Sequence, residues 1–361
     1  MADTCVCHFF IVILHTFIKS DNTTMTNEIH YPSLIDLHLH LDGSMPLRTA
    51  RMLANMQGVR IPDSDEELMA MMSLTDDCKD LNDYLARFEL ACSLLQTREA
   101  LILCTYDLLS DLKKQGLIYA EIRFAPQKSC EKGLSQTEAV AAVLEGIRQA
   151  PIPCGLILSM MRGDDTHDAN LETIRIAKLF LGHGVVAVDL AGAEGLYPTS
   201  DYEYAFSVAR KDNIPIIIHA GEAAGADSVY EAIQAGAVRI GHGVRGLEDQ
   251  MVIDQLIARN ITLELCPTSN IDTGIYHSYA DYPLRQLLDA GVKVCVNTDD
   301  MTVSKTNLQK EWQHLVDTFQ LHEFEIGHIL LNAADASFAP EELKQQLRAE
   351  IQKNYNSIIL Y

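Results

Sequence analysis

Residues 34–43 read Leu34-Ile35-Asp36-Leu37-His38-Leu39-His40-Leu41-Asp42-Gly43: an apolar run that closes on two histidines, an acid and a glycine. The same pattern recurs along the chain. Short apolar, β-branched runs end in polar or small residues, and each is followed by a longer amphipathic segment. Strands are expected at 34–37, 119–124, 155–160, 185–190, 215–219, 238–240, 261–265 and 293–297. Helices are expected at 45–56, 82–115, 135–149, 170–182, 201–211, 228–235, 249–259 and 283–290. Strands alternating with helices imply βαβ units and a parallel sheet. Eight units predict an α/β fold closed as a (β/α)8 TIM-type barrel, not an open sheet. Extra helices are expected after the first strand, within 57–118, and beyond Asn307. Long insertions on that side of a barrel often cover the active site.

The chain has 361 residues, 48% of them hydrophobic and 22% charged, which excludes wholesale disorder. Its formal charge is −22, from 50 acids against 28 bases. Such a surface repels polyanions, so nucleic acid and anionic membrane are poor partners. The expected partner is a small molecule. Nine cysteines are scattered without any C-x-x-C, which points to reduced thiols and a cytoplasmic location. Cys266 and Cys295 read as small buried hydrophobes.

Residues 1–24 read as a leader outside the domain, either translated from an upstream start or a tail, with Met25 as a second start. The alternative is a short element packed on the barrel. The apolar run 9–14 is too short to span a membrane, which takes about 20 residues. It also lacks the basic region and cleavage site of a signal peptide. Residues 25–361 read as one domain.

Histidines at i and i+2 on a strand share a face, so His38 and His40 would both point into the barrel mouth. Satisfied, half-buried histidines are the bland alternative. Residues 217–222 read Ile217-Ile218-His219-Ala220-Gly221-Glu222 and place another imidazole and a carboxylate at a strand end. Residues 296–300 read Val296-Asn297-Thr298-Asp299-Asp300. Carboxylates there are costly to bury without a cation or donors, although each could cap a helix. Together, His38, His40, His219 and Asp299 offer three nitrogens and one oxygen, a set that suits Zn²⁺ with one position open. Such an ion lowers the pKa of the water it holds. Glu222 would then move protons, and His242 would orient or stabilise the hydroxide. The string Gly241-His242-Gly243-Val244-Arg245-Gly246 matches a dinucleotide fingerprint in letters only. Its strand is short, it comes sixth, and it holds a histidine, so it reads as a tight turn presenting an imidazole.

The motif set resembles the adenosine deaminase family, metal-dependent (β/α)8 enzymes of the amidohydrolase superfamily. The resemblance runs from about residue 35 to about residue 345. It rests on HLHLDG at 38–43, DLAGAEG at 189–195, HAGE at 219–222, RIGHG at 239–243, CPTSN at 266–270 and NTDD at 297–300. It implies zinc-dependent hydrolytic deamination of adenosine, with 2′-deoxyadenosine also accepted, to inosine and ammonia in purine salvage. By motif, His38, His40, His219 and Asp299 resemble the ligands of one zinc. Glu222 resembles the proton donor to the purine ring nitrogen, and His242 the residue that orients the attacking hydroxide. Asp300 resembles the group contacting purine N7, Gly192 the backbone contact to the purine, and Asp42 the acid binding a ribose hydroxyl. His40 also lines the substrate. Where Asp42 stands, related adenine deaminases tend to carry Glu and N6-methyl-AMP deaminases Asn. Asp42 therefore favours the nucleoside. The chain departs from the family after Asp300, where Met301 replaces a frequent proline. It lacks the H-x-E and P-C-x-x-C of the cytidine deaminase class. Competing readings are a barrel hydrolase acting on adenine or another purine, and a non-catalytic barrel that binds nucleosides.

Overall fold

Eight parallel strands appear in the computed structural model, which describes residues 30–75 and 81–355. They are β1 (Leu34–His40), β2 (Leu117–Phe124), β3 (Cys154–Met161), β4 (Val185–Ala191), β5 (Ile217–Ala220), β6 (Arg239–His242), β7 (Thr262–Leu265) and β8 (Val294–Val296). Strands β1 to β4 pair in sequence order, as do β5 to β8. Parallel bridges Val188↔Ile216 and Leu39↔Asp299 join the two halves and close the barrel. At the second seam, Asp299 N donates to His38 O (2.9 Å) and His40 N donates to Asp299 O (2.8 Å). The proposed leader lies outside the described residues.

These strands are apolar nearly throughout because both faces are covered, by side chains within and helices without. Four long charged side chains are among the exceptions. Arg239 pairs with Glu121 and Glu264 (2.6 Å each), and Arg123 pairs with Glu264 (2.8 Å). All are almost wholly buried, and the Phe338 ring lies 4.3 Å from the Arg239 guanidinium carbon. Buried charges persist only when paired in this way. The network forms the underside of the site.

The insertion after β1 carries helices Leu47–Gln57, Asp65–Met72, Leu81–Leu85, Glu89–Leu94 and Arg98–Lys114. The stretch expected as one helix over 82–115 is therefore broken. A 3-10 turn occupies Ala86–Phe88, and Thr97 starts the last helix by accepting from Ala100 N (3.2 Å). A side-chain oxygen at that position satisfies one of the free amides at a helix start. The strand expected to end at Leu37 continues to His40, and the short sixth strand includes His242. Helices Leu308–Phe319, Glu323–Ala336 and Glu341–Asn354 follow β8, with Pro340 preceding the last. Among the described residues no helix is long and apolar enough to cross a membrane. The described cysteines are all free, and Cys266 and Cys295 are buried.

Candidate active site

The C-terminal strand ends open into a cavity of about 690 Å³. Its lining includes His40, Asp42, Gly192, His219, Glu222, His242, Asp299 and Asp300. His38 is fully buried beneath this lining. Alternation along β1 sends both histidines inward, and His38 sits one layer deeper.

One ligand atom each from His38, His40, His219 and Asp299 lies within 4.8 Å of the others. The hydrogen bonds behind them set their tautomers. His38 Nδ1 is 2.9 Å from Glu264 Oε2, and His219 Nδ1 is 3.0 Å from Asp189 Oδ1. A carboxylate only accepts, so both rings carry a proton on Nδ1 and turn Nε2 inward as the ligand atom. His38 Nε2 lies 3.2 Å from Asp299 Oδ1, yet it has no hydrogen bond among the described residues. His40 Nε2 and His219 Nε2 are 3.2 Å apart. Burial pushes the His40 imidazole well below its ordinary value, which keeps it neutral. Burial also pushes the Asp299 carboxyl up, but the imidazoles of His38, His242 and His40 outweigh that and hold it well below the usual range. Three ring nitrogens converging beside a carboxylate form a donor set for a divalent cation. A second grouping adds His242 and Cys266 to His38 and Asp299. Burial holds the Cys266 thiol protonated, and its Sγ donates to Glu264 O (3.5 Å), so it is the poorer set.

Backbone geometry supports this convergence. His242 (φ 59°) and Asp299 (φ 61°) are both left-handed. Such non-glycine residues cost about 1–3 kcal/mol and persist where surrounding structure imposes them. At Gly241 a Cβ would lie 2.8 Å from His38 Cε1, so only glycine lets β6 pass the imidazole.

Glu222 is buried, and burial together with the charges of Asp299 and Glu194 pushes its carboxyl well above the usual range. Glu194 holds the turn that carries it, accepting from the amides of Gly221 (2.7 Å), Glu222 (3.0 Å) and Ala224 (3.0 Å) and from Ser228 Oγ. Tyr282 donates to Asn270 Oδ1 (3.2 Å), which leaves Asn270 Nδ2 to donate to His242 Nδ1 (3.0 Å). The His242 proton therefore sits on Nε2. That nitrogen faces Glu222 Oε2 (3.7 Å) and Asp299 Oδ2 (3.8 Å).

Asp42 accepts from Gly43 N (3.1 Å) and Cys92 Sγ (3.6 Å), and burial pushes its carboxyl up. Gly192 lines the wall with φ 108°. Met301 N donates to Ser44 Oγ (3.0 Å), a bond proline would lack.

The nine candidate site residues fall together here, eight of them lining the cavity and His38 beneath it. Sequence reading did not assign the residues behind them: Asp189, Glu194, Glu264, Asn270 and Tyr84. Asp189, Glu194 and Asn270 sit inside quoted motifs, and an acid within the apolar run of β7 was a signal for Glu264.

The adenosine deaminase family model matches residues 33–354. The chain belongs to the adenosine deaminase family. A family member, the adenosine deaminase of Haemophilus ducreyi, is 46% identical over 335 residues, covering 90% of this chain and 97% of that protein. Another, from Enterococcus faecalis, is 38% identical over 325 residues, covering 89% and 96%. Among solved structures, adenine deaminase from Arthrobacter aurescens is similar with TM-score 0.82 and 28% identity, covering 91% of this chain and all of that one. The barrel is thus that of the purine deaminases, and adenosine deaminase family membership spans the whole site.

Proposed function

We propose that this chain hydrolyses adenosine and 2′-deoxyadenosine to inosine and ammonia, using one Zn²⁺ held by His38, His40, His219 and Asp299. The observation that carries the reading is the four-residue donor cluster at the floor of a cavity that also holds Glu222, whose carboxyl burial pushes well above the usual range. When bound, the ion acidifies the attacking water. The remaining roles belong to side chains. Glu222 donates a proton to purine N1, which makes C6 more electrophilic. The His242 Nε2–H orients the attacking oxygen on one face of the ring. Asp42 accepts from a ribose hydroxyl, the Gly192 backbone contacts the purine, and Asp300 contacts N7. His40 serves both as a ligand and as a wall of the substrate site.

We assign residues 25–361 to the working domain and residues 1–24 to a leader. The free thiols of the described residues favour a cytoplasmic location. The relative of known structure that acts on adenine supplies a second reading, that of a free-base deaminase. Asp42 opposes it, because adenine has no hydroxyl to satisfy that carboxylate.

Metal analysis paired with turnover tests the proposal. Purified protein should hold one zinc per chain and convert adenosine to inosine with equimolar ammonia. His219→Ala should lose both metal and turnover. A protein that retains full zinc and activity after that substitution would refute the ligand set.

A further inference from the structure

Tyr84 carries a buried hydroxyl that none of the roles above uses. It stands on the short helix Leu81–Leu85, part of the insertion over the cavity mouth, and is 2% exposed. Its ring packs in a cluster with Leu74, Leu81 and Val303, and beside Phe88. Leu81, Leu85 and Phe88 also line the cavity. A buried phenol needs a polar partner, and here it reaches into the site. The O–H donates to Asp300 Oδ2 (3.0 Å), and Ser304 Oγ lies 3.0 Å from the same phenol oxygen.

The other edge of the Asp300 carboxyl is different. Oδ1 is buried and has no hydrogen bond among the described residues. It lies so close over Gly43 that a Cβ there would come within 1.7 Å. A free carboxyl turns easily about its last torsion, because that torsion is broad. Tying Oδ2 to a phenol anchored by ring packing removes this freedom and fixes where Oδ1 faces.

We infer that Tyr84 is a positioning residue for purine recognition: its hydroxyl donates to Asp300 Oδ2, so that Oδ1–H is the edge presented as a donor to the N7 lone pair of the ring. This rests on the reading of Asp300 as the N7 contact. It also ties the covering helix to base recognition. Displacing that helix breaks the Tyr84–Asp300 bond, so full recognition of the ring requires the helix in place. Ser304 supplies the second oxygen of the clamp.

Inhibition by inosine and by 7-deazainosine, which differ only at atom 7, tests this on the full zinc-loaded chain. Three proteins are compared: unmodified, Tyr84→Phe and Asp300→Ala, with KM and kcat for adenosine measured alongside. The unmodified protein should prefer inosine. Tyr84→Phe keeps the ring and its packing, so it should weaken inosine by roughly two- to tenfold, the worth of one net hydrogen bond. It should leave 7-deazainosine unchanged and raise KM more than it lowers kcat. Equal weakening of both ligands, or no change in either, would overturn the positioning role and leave Tyr84 as packing. The Asp300→Ala arm isolates the reading beneath it. Asp300→Ala should abolish the preference for inosine. A preference that survives Asp300→Ala would show that Asp300 does not read N7, which removes the basis of the inference whatever Tyr84→Phe does.

Discussion

The Glu194 carboxylate accepts from the backbone amide of Glu222 at 3.0 Å, so one buried acid sets the position of another. The same carboxylate takes the neighbouring amides of Gly221 and Ala224, and its charge helps keep Glu222 protonated. Glu194→Gln places an amide NH₂ against donors that need an acceptor. Turnover should fall about 10- to 100-fold, the scale of one or two broken buried hydrogen bonds. Zinc content should stay normal. Unchanged kcat in this variant would show that the turn holds its shape without Glu194.

Glu222→Gln keeps the shape and cannot donate the proton. The expected loss in kcat is about 10²- to 10⁴-fold, with zinc retained and inosine still bound. In the unsubstituted protein, kcat/KM should fall as pH rises through the Glu222 value, because the active form is the protonated one. An alkaline limb that persists in the residual activity of Glu222→Gln would assign that limb to another group.

Asp189 holds His219 Nδ1 at 3.0 Å and so turns Nε2 inward. Asp189→Asn should weaken zinc affinity roughly 10- to 100-fold, as removing such supporting carboxylates does. Competition with a chelator measures this directly. Affinity equal to that of the unmodified chain would mean that packing alone orients His219.

Glu311 gives a pH signature outside the site. It is fully buried and accepts from Thr268 N (3.1 Å) and from the hydroxyls of Thr268 and Thr306. Burial pushes its carboxyl up from 4.5 to about 7, against those hydrogen bonds. With the folded value above the unfolded one, its contribution is complete below pH 4.5 and is lost as pH rises through about 7. A shift of that size corresponds to about 3 kcal/mol. Glu311→Gln should therefore flatten the decline in Tm between mildly acidic and mildly alkaline pH. A decline equally steep in the variant would place the titrating group elsewhere.

The barrel was legible in the sequence because its strands are apolar on both faces, and a buried parallel strand shows as a continuous run. Residues bearing chemistry were legible where a run ends in a histidine or an acid, as at His219 or Asp299. The supporting residues were not. His38 and Glu264 are 226 residues apart, and Tyr84 and Asp300 are 216 apart, so only closure of the barrel brings them together. The break in the helix over 82–115 was locally signalled. Thr97 precedes Arg98-Glu99, a polar cap before an acidic first turn, but the flanking apolar residues hide it.

Substrate choice is the most direct test of the account. The full chain should be assayed for kcat/KM on adenosine, 2′-deoxyadenosine, adenine and AMP, following ammonia release, beside the Asp42→Ala variant. The account predicts that both nucleosides are used well, and adenine and AMP poorly. Losing one hydrogen bond to a charged group, worth about 1.5–3 kcal/mol, should cost Asp42→Ala one to two orders of magnitude on adenosine and much less on adenine. Preference for adenine or AMP in the unmodified chain, or equal losses on adenosine and adenine in Asp42→Ala, would contradict it.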